Sequence, residues 1–291
     1  NIWTSKMISI IIVNFNSKKY LFDCINSILN SKIPTEYEIL IINNSKNENI
    51  DNFSSEIVKV FNLNCNLGFA KAANYGVSKS LGDELLFLNP DTLLESDTIK
   101  NMYNYINENT MIGVVGGKVL NSDKTYQLSS RRKFPNIFNL LVLATRINKF
   151  FPKSKVFGSY NYTNYSENTL MEVDSVSGAC MFIKKDVFNS IGRYDESYFM
   201  YFEDTDLCLQ LKKNNYKIVY YPLAKLTHVK GGSSFSSILR KYYFYSSMNI
   251  FFNKNSDFSK DWYLIAKISS FFKFYYKIVN ILINKKKLKF S

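Results

Sequence analysis

The sequence predicts an α/β fold: a mostly parallel central sheet with helices on both faces, followed by a helical, basic C-terminal extension. Three observations carry this. Over the first 120 residues, short apolar runs alternate with amphipathic segments, the rhythm of strand–helix units stacked on one sheet. The apolar runs are continuous rather than alternating, which suits strands buried on both faces. No run reaches the roughly 20 apolar residues of a membrane-spanning helix, so the 46% hydrophobic content of the 291 residues is available for a core.

The elements follow in order. "ISIIIVNF" (8–15) is a strand by its β-branched content. In "SKKYLFDCINSILNS" (17–31), Leu21, Cys24, Ile25, Ile28 and Leu29 recur at helical spacing. "YEILIIN" (37–43) and "IVKVFNL" (57–63) are strands, and "GFAKAANYGVSKSLG" (68–82) is a helix that Gly82 stops. "ELLFLN" (84–89) is the fourth strand. "SDTIKNMYNYINEN" (96–109) is a helix capped by Ser96 or Asp97, and "IGVVGGKVL" (112–120) is the fifth strand. Residues 121–170 are less regular and contain "RRKFPN" and the Tyr/Asn-rich "FGSYNYTNYSEN". "VDSVSGACMFIKK" (173–185) is a strand entered through Ser-Gly. "YFMYFEDTDLCLQLKKN" (198–214) is acidic at its start and basic at its end, matching a helix dipole. "YKIVYYP" is another strand, and from residue 238 the pattern is helical over 238–253 and 260–284.

Composition narrows the function classes. A net charge of +13 favours anionic partners: nucleic acid, anionic lipid or phosphorylated small molecules. Cys24, Cys65, Cys180 and Cys208 form no CxxC pair, which disfavours zinc and disulfides and suits buried, reduced thiols in a cytosolic protein. The run at residues 8–13 is too short for a signal peptide. No G-x-G-x-x-G follows the first strand and no Walker motif occurs, against an ordinary dinucleotide or P-loop site.

Three features hold polar groups that strand packing does not require. Asn89-Pro90-Asp91 ends a core strand. It reads either as a turn or as a carboxylate holding a divalent cation against a diphosphate. Glu203-Asp204-Thr205-Asp206 follows the aromatic run "YFMYF". Helix capping accounts for one acid, and aromatic surroundings can raise a carboxylate toward a base's working range. His228, the one histidine, ends the strand-like "YPLAKLTH" and precedes Val-Lys-Gly-Gly-Ser-Ser, a segment able to approach a phosphate. A lone histidine is more often a surface or satisfied core residue. A Gly in "NCNLGFAKAANYG" beside a helix start is a weaker ligand signal.

In this order, "SIIIVNFNSKKYLFDCINSIL", "EILIINNS", "NLGFAKAANYGV", "LLFLNPDT", "VSGACMFIKKDVFNSIGRYDESYFMYFEDTDLCLQLKKNNYKIVYYP" and "HVKGGSS" resemble the inverting family-two glycosyltransferases of GT-A (Rossmann-like) fold, especially the rhamnosyltransferase-like members that build bacterial surface polysaccharides. The resemblance spans residues 9–234, over three quarters of the chain. It implies a GT-A domain over 7–235, with a nucleotide-sugar half at about 7–120 and an acceptor half at about 121–235, and a helical C-terminal region over 236–291.

Residue by residue, the resemblance implies that Asp91 binds Mg²⁺ or Mn²⁺ with the donor diphosphate, Asn89 standing where relatives carry a first acid. His228 completes metal or diphosphate binding. Glu203-Asp204 matches the "ED" motif, with Asp204 the general base. Val13, Phe15, Asn43 and Asn44 line the nucleotide pocket. Asn66, Gly68 and Asn74 flank the nucleoside. Asp174, Ser177 and Gly178 lie near the donor sugar and acceptor. Ile42 stands where many members carry an Asp that contacts the pyrimidine, which shifts base recognition elsewhere.

The implied partners are a dTDP- or UDP-sugar donor, with dTDP-rhamnose suggested by the branch, a lipid-linked or glycan acceptor, and a second copy of the chain as a homodimer. Nucleic acid is not among them. Lys267, Lys273, Lys277 and lysines 285–287 alternate with Phe271, Phe272, Phe274, Tyr275, Tyr276, Ile278 and Ile281. Such a helix either lies on an anionic membrane or packs on the catalytic domain. The first reading places the protein at the inner face of a bacterial plasma membrane. Two alternatives stand beside the enzyme: an inactive, cationic glycan- or nucleic-acid-binding module, and a nucleotidyltransferase, which would carry a Gly-rich basic loop where this chain has "NFNSKKY".

Overall fold

A computed structural model describes residues 6–229, 236–256 and 260–289, with the backbone alone at 260, 261 and 284–289. The Lys-Gly-Gly-Ser-Ser segment expected at the phosphate and the side chains of lysines 285–287 fall outside the described residues.

The elements along the chain are β1 (Ile8–Asn14), α1 (Lys18–Leu29), β2 (Tyr37–Asn43), β3 (Val58–Asn62), α2 (Phe69–Lys79), β4 (Glu84–Leu88), β5 (Thr92–Leu94), α3 (Thr98–Glu108) and β6 (Ile112–Leu120). Then come β7 (Arg131–Arg132), α4 (Ile137–Thr145), α5 (Ile147–Phe150), β8 (Met171–Glu172), β9 (Ser175–Val176), β10 (Cys180–Lys184) and α6 (Lys185–Ser190). The chain closes with α7 (Glu203–Lys213), β11 (Lys217–His228), α8 (Ser237–Lys254) and α9 (Lys260–Lys289).

The main sheet runs β3-β2-β1-β4-β10-β6-β11-β5, with β8 also on β11. β3, β2, β1 and β4 are parallel. β10 is inserted antiparallel between β4 and β6, while β6 and β11 are parallel. The strand period of two sorts side chains between the layers. Ile8, Ile10 and Ile12 of β1 pack with Leu21, Cys24, Ile25 and Ile28 of α1, whereas Ile11 and Val13 face Ala70, Ala73 and Val77 of α2. Helices therefore cover both faces, as the continuous apolar runs predict.

Met248, Phe251 and Phe252 of α8 and Trp262, Ile265 and Ala266 of α9 belong to the same core cluster as α2 and α7. Trp262 Nε1 donates to the Pro135 carbonyl at 2.9 Å, giving the buried indole its partner. The C-terminal helices thus share the core of the sheet. Cys24, Cys180 and Cys208 are buried free thiols, but Cys65 is exposed, contrary to the expectation of four buried thiols. It lies between β3 and α2, where no strand carries it inward.

The topology fixes where a ligand can sit. From β1 the chain steps outward through β2 and β3, then returns to place β4 on the other side of β1. The carboxyl ends of β1 and β4 therefore flank a switch point, where open α/β sheets leave a crevice.

Candidate active site

A cleft of about 600 Å³ opens at that switch point. Val13 and Phe15 line it from the end of β1, and Asn89 and Asp91 from the end of β4. Asn44, Asn66 and Gly68 form one wall. The Asn44 Nδ2 donates to Asn66 Oδ1 at 3.0 Å, and the Leu67 N–H donates to Asn44 Oδ1 at 2.8 Å. Gly68 adopts φ +83°, and a Cβ there would lie 2.6 Å from the Phe199 carbonyl oxygen, so only glycine fits. Ser177, Gly178, Glu203, Asp204 and His228 complete the set of expected residues on the cleft.

Asp91 and His228 are 137 positions apart and meet through strand pairing. β5 and β11 run antiparallel with His228 opposite Thr92, and the Val229 N–H donates to the Asp91 carbonyl at 2.9 Å. This brings His228 Nε2 to 3.0 Å from Asp91 Oδ1. Two ligands about 2.1 Å from one ion at right angles lie about 3 Å apart, so the pair has the separation of neighbouring ligands. The carboxylate suits a hard cation such as Mg²⁺ or Mn²⁺, and the imidazole adds a nitrogen ligand of softer preference. Among the described residues there is no cluster of three or more acidic, His or Cys ligands. An ion held by this pair would take its remaining ligands from a diphosphate or water. His228 Nδ1 is buried without a hydrogen-bond partner among the described residues.

Across the cleft, Asp204 sits in the first turn of α7. Tyr201 and Phe202, just before the helix, take positive φ of 71° and 66°, backbone strain of the kind concentrated at functional sites. Asp204 Oδ2 accepts from Arg132 Nη2 at 2.7 Å and from the Gly178 N–H at 3.0 Å, and Oδ1 accepts from the Thr205 hydroxyl at 3.1 Å. A Cβ on Gly178 would stand 3.2 Å from the Asp204 Cβ, so this approach leaves little room for a side chain. Glu203 also lines the cleft, with Oε2 buried and without a partner among the described residues. Burial first, and the Asp204 charge second, raise its carboxyl above the ordinary carboxylate range.

Three expected residues do not line the cleft. Asn43 is turned inward, its amide donating to Asn62 Oδ1 and the Glu48 carbonyl at 2.8 Å each. Asn74 is buried and donates to the Tyr194 carbonyl at 2.8 Å, pinning α2 to the loop after α6. Asp174 pairs with Lys212 and accepts from the Phe134 N–H at 3.1 Å. Ile42 is fully buried, so the second-strand position that departs from the family pattern faces the core. Conversely, Ser129, Arg132, Phe199, Met200, Tyr201 and Arg240 line the cleft without having been assigned to it. Arg132 stands in the "RRKFPN" run and Phe199 to Tyr201 in the aromatic run before the acids, so both signals were visible without a direction attached.

Residues 9–192 match the family model described as Glycosyl transferase family 2, and residues 141–282 match that of Glycosyl transferase family group 2. The low-salt glycan biosynthesis hexosyltransferase Agl10 of Haloferax volcanii is 27% identical over 72% of this chain and 63% of its own length. The N-acetylglucosaminyl-diphospho-decaprenol L-rhamnosyltransferase of Mycobacterium tuberculosis is 25% identical over 61% of this chain and 60% of its own length. The rhamnosyltransferase WbbL of Escherichia coli is 29% identical over 50% of this chain and 52% of its own length. The chain thus spans little more than half to two thirds of these relatives. In fold it is similar to GalNAc-T7, crystallised with UDP, GalNAc and Mn²⁺, with a TM-score of 0.59 at 16% identity over 85% of this chain and 48% of that one.

Proposed function

The chain belongs to glycosyl transferase family 2, and on that premise we propose that it moves a sugar, with inversion at the anomeric carbon, from a nucleotide-diphosphate donor to a lipid-linked or glycan acceptor in cell-surface glycan synthesis. One observation carries the reading. The Asp91–His228 pair and Asp204 face a single cleft at the carboxyl ends of β1 and β4.

The chemistry follows from what each residue can do. The acceptor hydroxyl oxygen bonds to the anomeric carbon as the bond from that carbon to the diphosphate oxygen breaks. The electron pair leaves with the nucleoside diphosphate. Asp204 takes the hydroxyl proton on Oδ1, because Oδ2 is already held by Arg132 and Gly178. Those two donors fix the carboxylate's orientation, the positioning that makes a general base effective. Asp91 and His228 would hold Mg²⁺ or Mn²⁺, which when bound supplies positive charge to the leaving diphosphate. Arg240, on α8 at the cleft, offers a further cation on the donor's path.

The names of the relatives suggest rhamnose as the sugar moved and, from the Mycobacterium tuberculosis protein, a polyprenyl-diphosphate acceptor. A membrane-borne acceptor suits the lysines and exposed aromatics of α9, Phe271, Phe274 and Tyr275 among them. We place the protein peripherally on the inner face of the plasma membrane. No helix among the described residues is long and apolar enough to cross a bilayer.

A thermal-shift panel of dTDP-, UDP- and GDP-sugars with Mg²⁺ or Mn²⁺ tests the donor assignment. Ligand at 100 times Kd stabilises the fold by about 2.7 kcal/mol, which in a chain of this size raises Tm by about 4 °C. A dTDP- or UDP-sugar is expected to give that shift only with the cation. No shift with any donor would sink the reading.

A further inference from the structure

A second apolar, basic surface lies beside α9, on a part of the chain whose sequence pattern is irregular. Phe138 and Leu141 of α4 are exposed, and so are Phe150, Phe151 and Val156 at and after the end of α5. Phe150 is 79% exposed, the most of any large hydrophobic among the described residues, and Phe151 is 55% exposed. Basic residues surround this tip: Arg146, Lys149, Lys153 and Lys155. Residues 124–166 contain no Asp or Glu, nor do residues 262–291.

The two surfaces are neighbours. Trp262 of α9 bonds to Pro135, just ahead of α4, and Ile137 and Leu140 pack against the core cluster that holds Trp262, Ile265 and Ala266. The inner faces of α4 and α9 therefore meet in one core. On α9, Leu264, Ile268, Phe271, Tyr275 and Ile278 follow a 4-3-4-3 spacing and are all exposed. Contiguous exposed apolar area of this kind marks an interaction site.

Resting on the reading that the acceptor is presented at a membrane, we propose that the α4–α5 segment is a membrane anchor. Phe150 and Phe151 insert into an anionic bilayer, and Arg146, Lys149, Lys153 and Lys155 pair with its phosphates. The single sign of charge selects this occupant. A second copy would bring lysine against lysine, whereas an anionic leaflet supplies the complementary charge. Aromatics at headgroup depth flanked by lysines are the arrangement of interfacial segments.

The test uses the full chain and vesicles of phosphatidylcholine with or without phosphatidylglycerol. Co-sedimentation with the anionic vesicles alone is expected. The double substitution Phe150→Ser with Phe151→Ser should weaken that binding about tenfold or more, with α9 intact and the donor-induced thermal shift unchanged. Phe150→Trp should gain a fluorescence signal quenched by brominated lipid. The proposal fails if the double variant binds anionic vesicles as the original chain does, or if neutral and anionic vesicles bind alike. It also fails if the double variant merely dissociates a dimer while vesicle binding persists. Failure of the donor panel leaves these readouts intact, so the two ideas fall separately.

Discussion

Asp204→Asn is expected to lower turnover by about 10³-fold, within the range for losing a general base, while donor binding stays close to that of the original chain. The substitution isolates chemistry from structure. An asparagine oxygen placed where Oδ2 now sits still accepts from Arg132 and from the Gly178 N–H. Its amide nitrogen then faces the Thr205 hydroxyl, which can turn to accept. The fold and the cleft wall survive, but the amide cannot take a proton. Asp204→Ala is a poorer test, because it strips Arg132 of its anion. Glu203→Gln serves as the control. Burial and the Asp204 charge raise the Glu203 carboxyl, favouring its protonated form, which an isosteric amide resembles. Turnover within roughly tenfold of the original is expected there. Near-normal turnover in Asp204→Asn, read in a transfer assay, would overturn the base assignment.

Asp91→Ala is expected to act on the donor. It removes the carboxylate that faces His228 Nε2, and a single imidazole does not make a site for a hard cation. A Lewis acid contributes several kcal/mol to stabilising developing charge. At 1.36 kcal/mol per tenfold, its loss costs turnover on the order of 10³-fold. The readout independent of activity is the thermal shift with donor and Mn²⁺, which Asp91→Ala should abolish and His228→Ala should reduce. An unchanged Mn²⁺-dependent shift in Asp91→Ala would remove the pair from donor binding.

How far these residues could be read from sequence follows from the physics of each. β2 and β6 match their expected bounds, 37–43 and 112–120, because continuous apolar runs bounded by polar residues are self-announcing. β5, at three residues, carries too little pattern to be seen, yet its pairing with β11 is what joins Asp91 to His228. The direction of β10 was equally hidden, since a strand's own side chains do not encode which neighbour it joins.

Adjacent arginines show the limit most clearly. Arg131 and Arg132 lie on opposite faces of the two-residue β7. Arg131 is buried, donating to the carbonyls of Tyr162, Tyr165 and Ser166, while Arg132 reaches Asp204 in the cleft. Only the pairing of Arg132 with Ser175 on β9 decides which is which. Asn43, Asn74 and Asp174 show the opposite case, ligand-like residue types that do not line the cleft. They carry ligand-like chemistry near the cleft, but their hydrogen bonds are turned into the fold.

The proposed reaction is a single displacement in which Asp204 deprotonates the acceptor as the nucleoside diphosphate leaves. The anomeric configuration of the freshly formed product, read by proton NMR against that of the donor, tests it most directly. Inverted configuration is expected from the first turnover. A product retaining the donor's configuration would contradict it.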